Sequence, residues 1–310
     1  RVLFRSIQIN KKEEKMKKFL ITAALIICML PMTFALVACA EKDETEQYPA
    51  LTFILTKDDT YNVKGSANGK EEEEIVIPAT VNGKAVAGIA LKGFSGFNKL
   101  KKITIPQGMD KILSNAFENC SALTEIVIPD SVTVLSKYAF NNCTSLTKAV
   151  LGSGLKSVAE YAFAGCGALT ELTLPSALET IDDYAFSECS GLSSVRLPET
   201  LEAIGKEAFS KCSGISEIKL PASLLQLGDY AFGYNNGSQY PGKLSTAYFY
   251  GPLPQGINQS FGYSWDAEGF KIYVPEEHFT AYSTADAADW KRCVITPGLL
   301  YSFNPEEIPY

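Results

Sequence analysis

Five cysteines, Cys120, Cys143, Cys166, Cys189 and Cys212, follow one another at a constant step of 23 residues. Thiols can pair as disulfides, hold zinc, or act as nucleophiles once ionised. A straight column of equivalent positions suits none of these. Neighbours one strand spacing apart stand wider than the ~3.8 Å between Cβ atoms that a disulfide prefers. An odd number of thiols also cannot pair completely, and tetrahedral zinc needs convergent ligands. The column therefore reads as buried, reduced and metal-free, each thiol packing as a small apolar group. Cys28, Cys39 and Cys293 stand outside it.

The remaining polar residues offer little catalysis. The one histidine, His278, has no matched nucleophile in a recognisable motif. The acidic run 71–74 reads as a solvated segment before a strand, and Asp58, Asp59, Asp182 and Asp183 read as turn residues. No glycine loop of a phosphate-binding kind is present in the sequence. The expectation is a protein with no catalytic residues, metal or cofactor. The chain carries a formal charge of −7; residues 1–38 hold seven Lys/Arg against two Glu, so the remainder is near −12. That balance argues against nucleic acid as a partner, since phosphate contacts need basic patches.

What positions the thiols is a repeat. Phe94, Phe117, Phe140, Phe163, Phe186, Phe209 and Phe232 keep the same step, and from Phe117 onward each follows an alanine. A fixed period in this range means one structural unit stacked on copies of itself. Each unit opens with alternating apolar residues, such as Leu123, Ile126 and Ile128, or Leu169, Leu172 and Leu174. Alternation predicts a short strand with one buried face. Pro106, Pro129, Pro175, Pro198 and Pro221 end these strands, with Gly152 in the same place in one unit. Two more apolar columns follow, one through Leu155 and Leu178, the other through Val158 and Ile181. Tyr138, Tyr161, Tyr184 and Tyr230 form a further column, expected to pack along the edge of the stack.

The pattern YAFNNCTSLTKAVLGSGLKSVAE and its neighbours resemble the BspA-like leucine-rich repeats of bacterial surface proteins, over about residues 50–298. The resemblance implies a β-rich solenoid of 23-residue repeats. Its parallel sheet would line the concave face, short 3-10, helical or extended segments the convex side, and caps both ends. It also implies a surface binder of the adhesin kind. Met16, Lys17 and Lys18 open an apolar run through residue 38, which is export-signal composition. Leu36, Val37, Ala38 and Cys39 match the lipobox of bacterial lipoproteins, a resemblance that implies cleavage before Cys39 and a lipid on its sulfur. An uncleaved membrane anchor is the alternative, since the run is long enough to span a bilayer.

The expected organisation is a non-native leader over 1–15, a signal peptide over 16–38 and a tether over 39–49. A cap and first repeat follow over 50–99, six repeats over 100–237, irregular terminal repeats over 238–275, and a cap helix with tail over 276–310. That helix should span 275–290 and set Phe279, Tyr282 and Trp290 over the open end.

Binding is expected on the outward strand positions. One column, through Lys102, Glu125, Lys148 and Glu171, is largely self-neutralising. Beside it, Val127, Val150, Thr173 and Arg196 form the candidate ligand site, with the loop 233–243 as the next choice. The partner would be a protein or glycan at the cell surface, the membrane would be met through Cys39, and the ectodomain would be monomeric. The alternatives are an envelope spacer without external ligand and, behind it, an enzyme or accessory subunit.

Overall fold

The computed structural model describes residues 43–233, 244–257, 260–261, 270–284, 300–305 and 310. Residues 1–42 and the loop 234–243 lie outside these, and with them the leader, the signal segment, Cys39 and most of the alternative binding loop. Cys293 and Trp290 lie outside them too.

The unit Thr45–Tyr310 is a parallel β-solenoid with repeats about 23 residues apart, capped at its start by a hairpin. Strands β1 (Leu51–Leu55) and β2 (Tyr61–Gly65) pair antiparallel across a turn at Asp58 and Asp59, where Asp59 adopts φ 58°. A second hairpin joins β4 (Thr80–Val81) to the start of β5 (Lys84–Ile89), through Asn82 and Gly83 at φ 50° and 71°. Those two residues are at home in the left-handed region that such a turn needs. This hairpin accounts for the long spacing in the first repeat.

Two faces of stacked parallel strands then run along the solenoid. The principal sheet is made by the alternating apolar runs: β3 (Glu74–Val76), β6 (Lys102–Thr104), β8 (Glu125–Val127), β10 (Lys148–Val150), β12 (Glu171–Thr173), β15 (Glu217–Leu220), β17 (Thr246–Phe249), β18 (Lys271–Pro275) and β19 (Leu300–Phe303). The second is narrower. After β5 come two-residue strands: β7 (Lys111–Ile112), β9 (Val134–Leu135), β11 (Ser157–Val158), β13 (Thr180–Ile181), β14 (Ala203–Ile204) and β16 (Gln226–Leu227). Between the sheets the chain turns through residues with positive φ, again in columns. Lys92, Asn115, Tyr138, Tyr161, Tyr184, Glu207 and Tyr230 make one; Gly96, Asn119, Asn142, Gly165, Glu188 and Lys211 make another.

The core lies between the sheets. The phenylalanines stack face to face, with Phe163 centred 5.0 Å from Phe140 and 5.4 Å from Phe186. The column outlasts the sequence period: Phe232 stacks on Phe261 at 5.8 Å. From Phe94 to Phe209 each Phe N–H donates to the alanine carbonyl of the next turn, as Phe117 does to Ala139 at 2.7 Å, and Phe232 donates to the Ser260 carbonyl at 2.8 Å. Stacking thus satisfies the polar backbone that loops between sheets would otherwise leave bare.

The thiol column has its own partner. Each Sγ donates to the Phe carbonyl one turn back, from Cys120 to Phe94 at 3.1 Å through Cys212 to Phe186 at 3.1 Å. All five are free and buried. Burial pushes the Cys120 and Cys212 thiols up to about 12, and Cys143 and Cys189 well above the usual thiol range. At the C-terminal end a 3-10 turn (Glu276–His278) leads into α1 (Phe279–Thr284), and the rest of the helix expected over 275–290 lies outside the described residues. Tyr282 of α1 is fully buried and donates its hydroxyl to the Gly251 carbonyl at 3.1 Å.

One expected strand does not form. Residues 193–197 repeat the apolar alternation but join no sheet, so the principal sheet is interrupted between β12 and β15; strand pairing also lapses between β6 and β8, and on the second face between β9 and β11. Two local causes coincide. Ser193 and Ser194 replace the Thr and the charged residue of the preceding repeats, and serine is a poor strand former beside threonine. In register, Arg196 would also face Lys219, and like charges directly opposite repel.

Candidate functional site

The outer face of the principal sheet carries two side-chain columns. In the first, Lys102 pairs with Glu125 at 3.7 Å and Lys148 with Glu171 at 3.1 Å. These exposed pairs contribute a few tenths of a kcal/mol each and leave little net field for a charged ligand. In the second, Val127, Val150 and Thr173 stand in direct register on β8, β10 and β12. Val127 is 56 % exposed and Val150 half-buried. Val76 on β3 continues the apolar character, 66 % exposed, with Thr104 between it and Val127. The structure thus sets three of the four candidate residues side by side. Arg196 is set apart, on the unpaired segment 193–197.

Beyond the interruption the same column changes character. Lys219 of β15 registers with Tyr248 of β17, Tyr248 with Tyr273 of β18, and Tyr273 with Tyr301 of β19. The three rings stack at 4.8 and 5.2 Å. Lys271 lies over the Tyr301 ring, 5.7 Å from its centre, a cation–π contact. The sequence period does not reveal this ladder, because the repeats holding Tyr248, Tyr273 and Tyr301 are irregularly spaced. Alternation within each short strand is the signal that could have found it.

The interruption leaves a concavity in this face. Two adjoining clefts, of about 530 and 360 Å³, flank Arg196 and share it with Leu197 and Tyr310. Their floor is apolar, because Leu172, Leu174 and Val195 are only partly covered here, whereas Ile126, Ile128 and Ala149 of neighbouring turns are fully buried. Backbone groups are also left open. In the regular turns Thr124, Thr147 and Thr170 bond by N–H and by Oγ1 to the carbonyl one turn back. Among the described residues no backbone hydrogen bond is made by Ser193, Ser194, Val195 or Arg196.

The other tyrosine column is built differently from a ligand platform. Tyr138, Tyr161 and Tyr184 stack at 4.8 and 4.6 Å, nearly parallel, on left-handed backbone. Tyr184 donates its hydroxyl to Glu207 at 3.1 Å, and Lys206 sits 5.9 Å from the ring centre. Stacking covers both faces of Tyr161, which leaves ring edges and hydroxyls to the solvent. Among the described residues no group of three or more His, Cys, Asp or Glu side chains converges as metal ligands would. His278 is half-buried beside Glu277, away from both clefts.

Comparison with known proteins agrees with this architecture. The family model for the BspA type leucine rich repeat region matches six copies over residues 69–190 and 111–239. Three similar crystal structures are leucine-rich repeat proteins. One from Eubacterium ventriosum is 32 % identical, with 62 % of this chain and 52 % of that chain covered and a TM-score of 0.49. One from Bacteroides ovatus is 23 % identical, with 83 % and 78 % covered and a TM-score of 0.41. A leucine rich cell surface protein from Faecalibacterium prausnitzii is 19 % identical, with 82 % and 93 % covered and a TM-score of 0.42. No curated protein matches.

Proposed function

We propose that this chain, which belongs to the BspA type leucine-rich repeat family, is a non-catalytic binding module displayed on a bacterial surface and recognising a protein or glycan through the outer face of its principal sheet. The observation that carries this reading is the outer column itself. It runs from Val76 through Val127, Val150 and Thr173 to Lys219, Tyr248, Tyr273 and Tyr301, while the core columns beneath it stay invariant in chemistry. A rigid sheet loses little entropy on binding. Apolar and tyrosine positions beside paired charges have the composition of an interface centre with a polar rim.

Surface display rests on the family and on the export-type composition of residues 16–38. Attachment is through a lipid on Cys39, with residues 39–49 as the tether and the ectodomain monomeric. Cys39→Ala should abolish lipid attachment, read as an altered mature mass and loss from the detergent phase. An unchanged mass would exclude it.

The binding test is a pull-down against matrix proteins, glycans and envelope extracts, repeated with Val127→Glu plus Val150→Glu and with Tyr248→Ala plus Tyr273→Ala. Circular dichroism confirms the fold of each variant. Loss of a captured ligand in either variant supports the sheet face. Retention in both moves binding to another face, and no saturable ligand from any source favours an envelope spacer.

A further inference from the structure

One side chain, that of Tyr310, forms part of the wall of both clefts at the interrupted turn. Tyr310 donates its hydroxyl to the Leu197 carbonyl at 2.5 Å, a carbonyl that no strand ladder uses. Its ring meets the edge of Tyr250 at 5.0 Å and 79°. Leu172, Leu174 and Pro198 supply an apolar wall, with Arg196 and Glu199 at the rim. A phenol suits such a place: an apolar body for the floor and one hydroxyl for the lone carbonyl. Burial, and then Glu199, holds the Tyr310 hydroxyl above the usual phenol range, so it remains a donor.

We propose that this break in the sheet is a receptor site for a tyrosine side chain of a partner polypeptide, and that Tyr310 occupies it in the free chain. The proposal rests on the binding reading above and names its partner class. A polypeptide fits better than a sugar because of the backbone beside the cleft. Ser193, Ser194, Val195 and Arg196 line the second cleft with unpaired N–H and C=O groups in sequence. An extended chain offers complementary groups at the same repeat, the basis of strand addition. The site lies between β12 and β15, in line with the outer column, so a chain seated there continues onto Thr173 on one side and Lys219 on the other.

The test uses full-length protein and a fluorescein-labelled peptide of residues 300–310, followed by anisotropy. An internal occupant reduces apparent affinity by the fraction of sites left open. Tyr310→Ala should therefore bind the peptide at least about tenfold more tightly than the unaltered chain. Tyr310→Phe, which removes only the hydroxyl, should fall between them. A peptide with Ala in place of its final Tyr should not bind. Equal affinity for all three proteins, equal binding of the Ala-ended peptide, or no binding at all would overturn the assignment. Competition by glycans and not by unlabelled peptide would also overturn it, in favour of a sugar site. Val127→Glu with Val150→Glu should leave the peptide's affinity unchanged. Failure of the peptide alongside a pull-down ligand sensitive to that pair sinks only the tyrosine site and leaves the sheet-face reading standing.

Discussion

The principal sheet has two stretches that share a core and differ in surface. From β8 to β12 the repeats keep strict period, the outer positions are Val, Val and Thr, and Lys148 and Glu171 cancel across the rungs. From β15 to β19 the spacing is irregular and the outer positions are Lys219, Tyr248, Tyr273 and Tyr301. Beneath both stretches the phenylalanine column continues without a gap, through Phe232 to Phe261. Period therefore reports on the core. Identical inward residues are demanded by identical neighbours, while loops and outer positions are free of that demand. At the junction of the two stretches, residues 193–197 satisfy the core requirement only in part, and there the surface opens.

The comparison breaks most severely if inner and outer aromatics are exchanged as targets. Phe163→Ala removes a ring packed between two others and should lower unfolding free energy by about 3–5 kcal/mol. Tyr273→Ala on the half-buried outer face should cost no more than about 1 kcal/mol. Urea unfolding of both variants decides it, and equal costs would mean that the outer ladder is structural.

The thiol column gives a pH signature of the inner side. Burial raises the folded-state value of Cys120 to about 12 from an ordinary 9.0. The folded chain thus holds a proton that the unfolded chain releases. Stability from this group is complete below pH 9.0 and is lost as pH climbs toward 12. The slope is about 1.4 kcal/mol per pH unit for each such thiol. Cys120→Ala should flatten it, measured by unfolding between pH 8 and 11. An unchanged slope would place the titration elsewhere.

Repairing the junction sharpens the contrast. Ser194→Lys with Arg196→Val restores the charge alternation between Glu171 and Glu217 and removes the repulsion with Lys219. The double change should close the ladder and stabilise the fold by roughly 1 kcal/mol. It should also protect the Val195 amide from hydrogen exchange and weaken the labelled peptide in the Tyr310→Ala background. An unprotected amide would show that the interruption has another cause. The smallest effect belongs to the charge rungs: Lys148→Ala should change stability by only a few tenths of a kcal/mol, and less still at high salt.

Much of the fold was legible in the residues. Cys120 through Cys212, the phenylalanines, the strand-ending prolines and the turn at Asp58 and Asp59 all declare themselves, because a stacked unit must repeat whatever it buries. Gly152, standing where other repeats have proline, is explained only in three dimensions: a Cβ there would lie 2.3 Å from the Pro129 carbonyl oxygen. Three of the four candidate site residues were placed together by alternation alone. Alternation put Arg196 in the same column, but its strand does not form, which depends on Lys219 one turn away and on two serines whose effect is cooperative.

By itself, then, the sequence determined the repeating unit, its buried columns and the reduced state expected of the thiols, all of which follow from local period and side-chain size. Tertiary structure alone decided which outer residues become neighbours once the period lapses. It brought Tyr248, Tyr273 and Tyr301 into one stack, although 25 or more residues separate each from the next. It also brought Tyr310 against Leu197, 113 residues away along the chain. Contacts of that kind are set by how many turns intervene and where each ends, and no local pattern encodes that count.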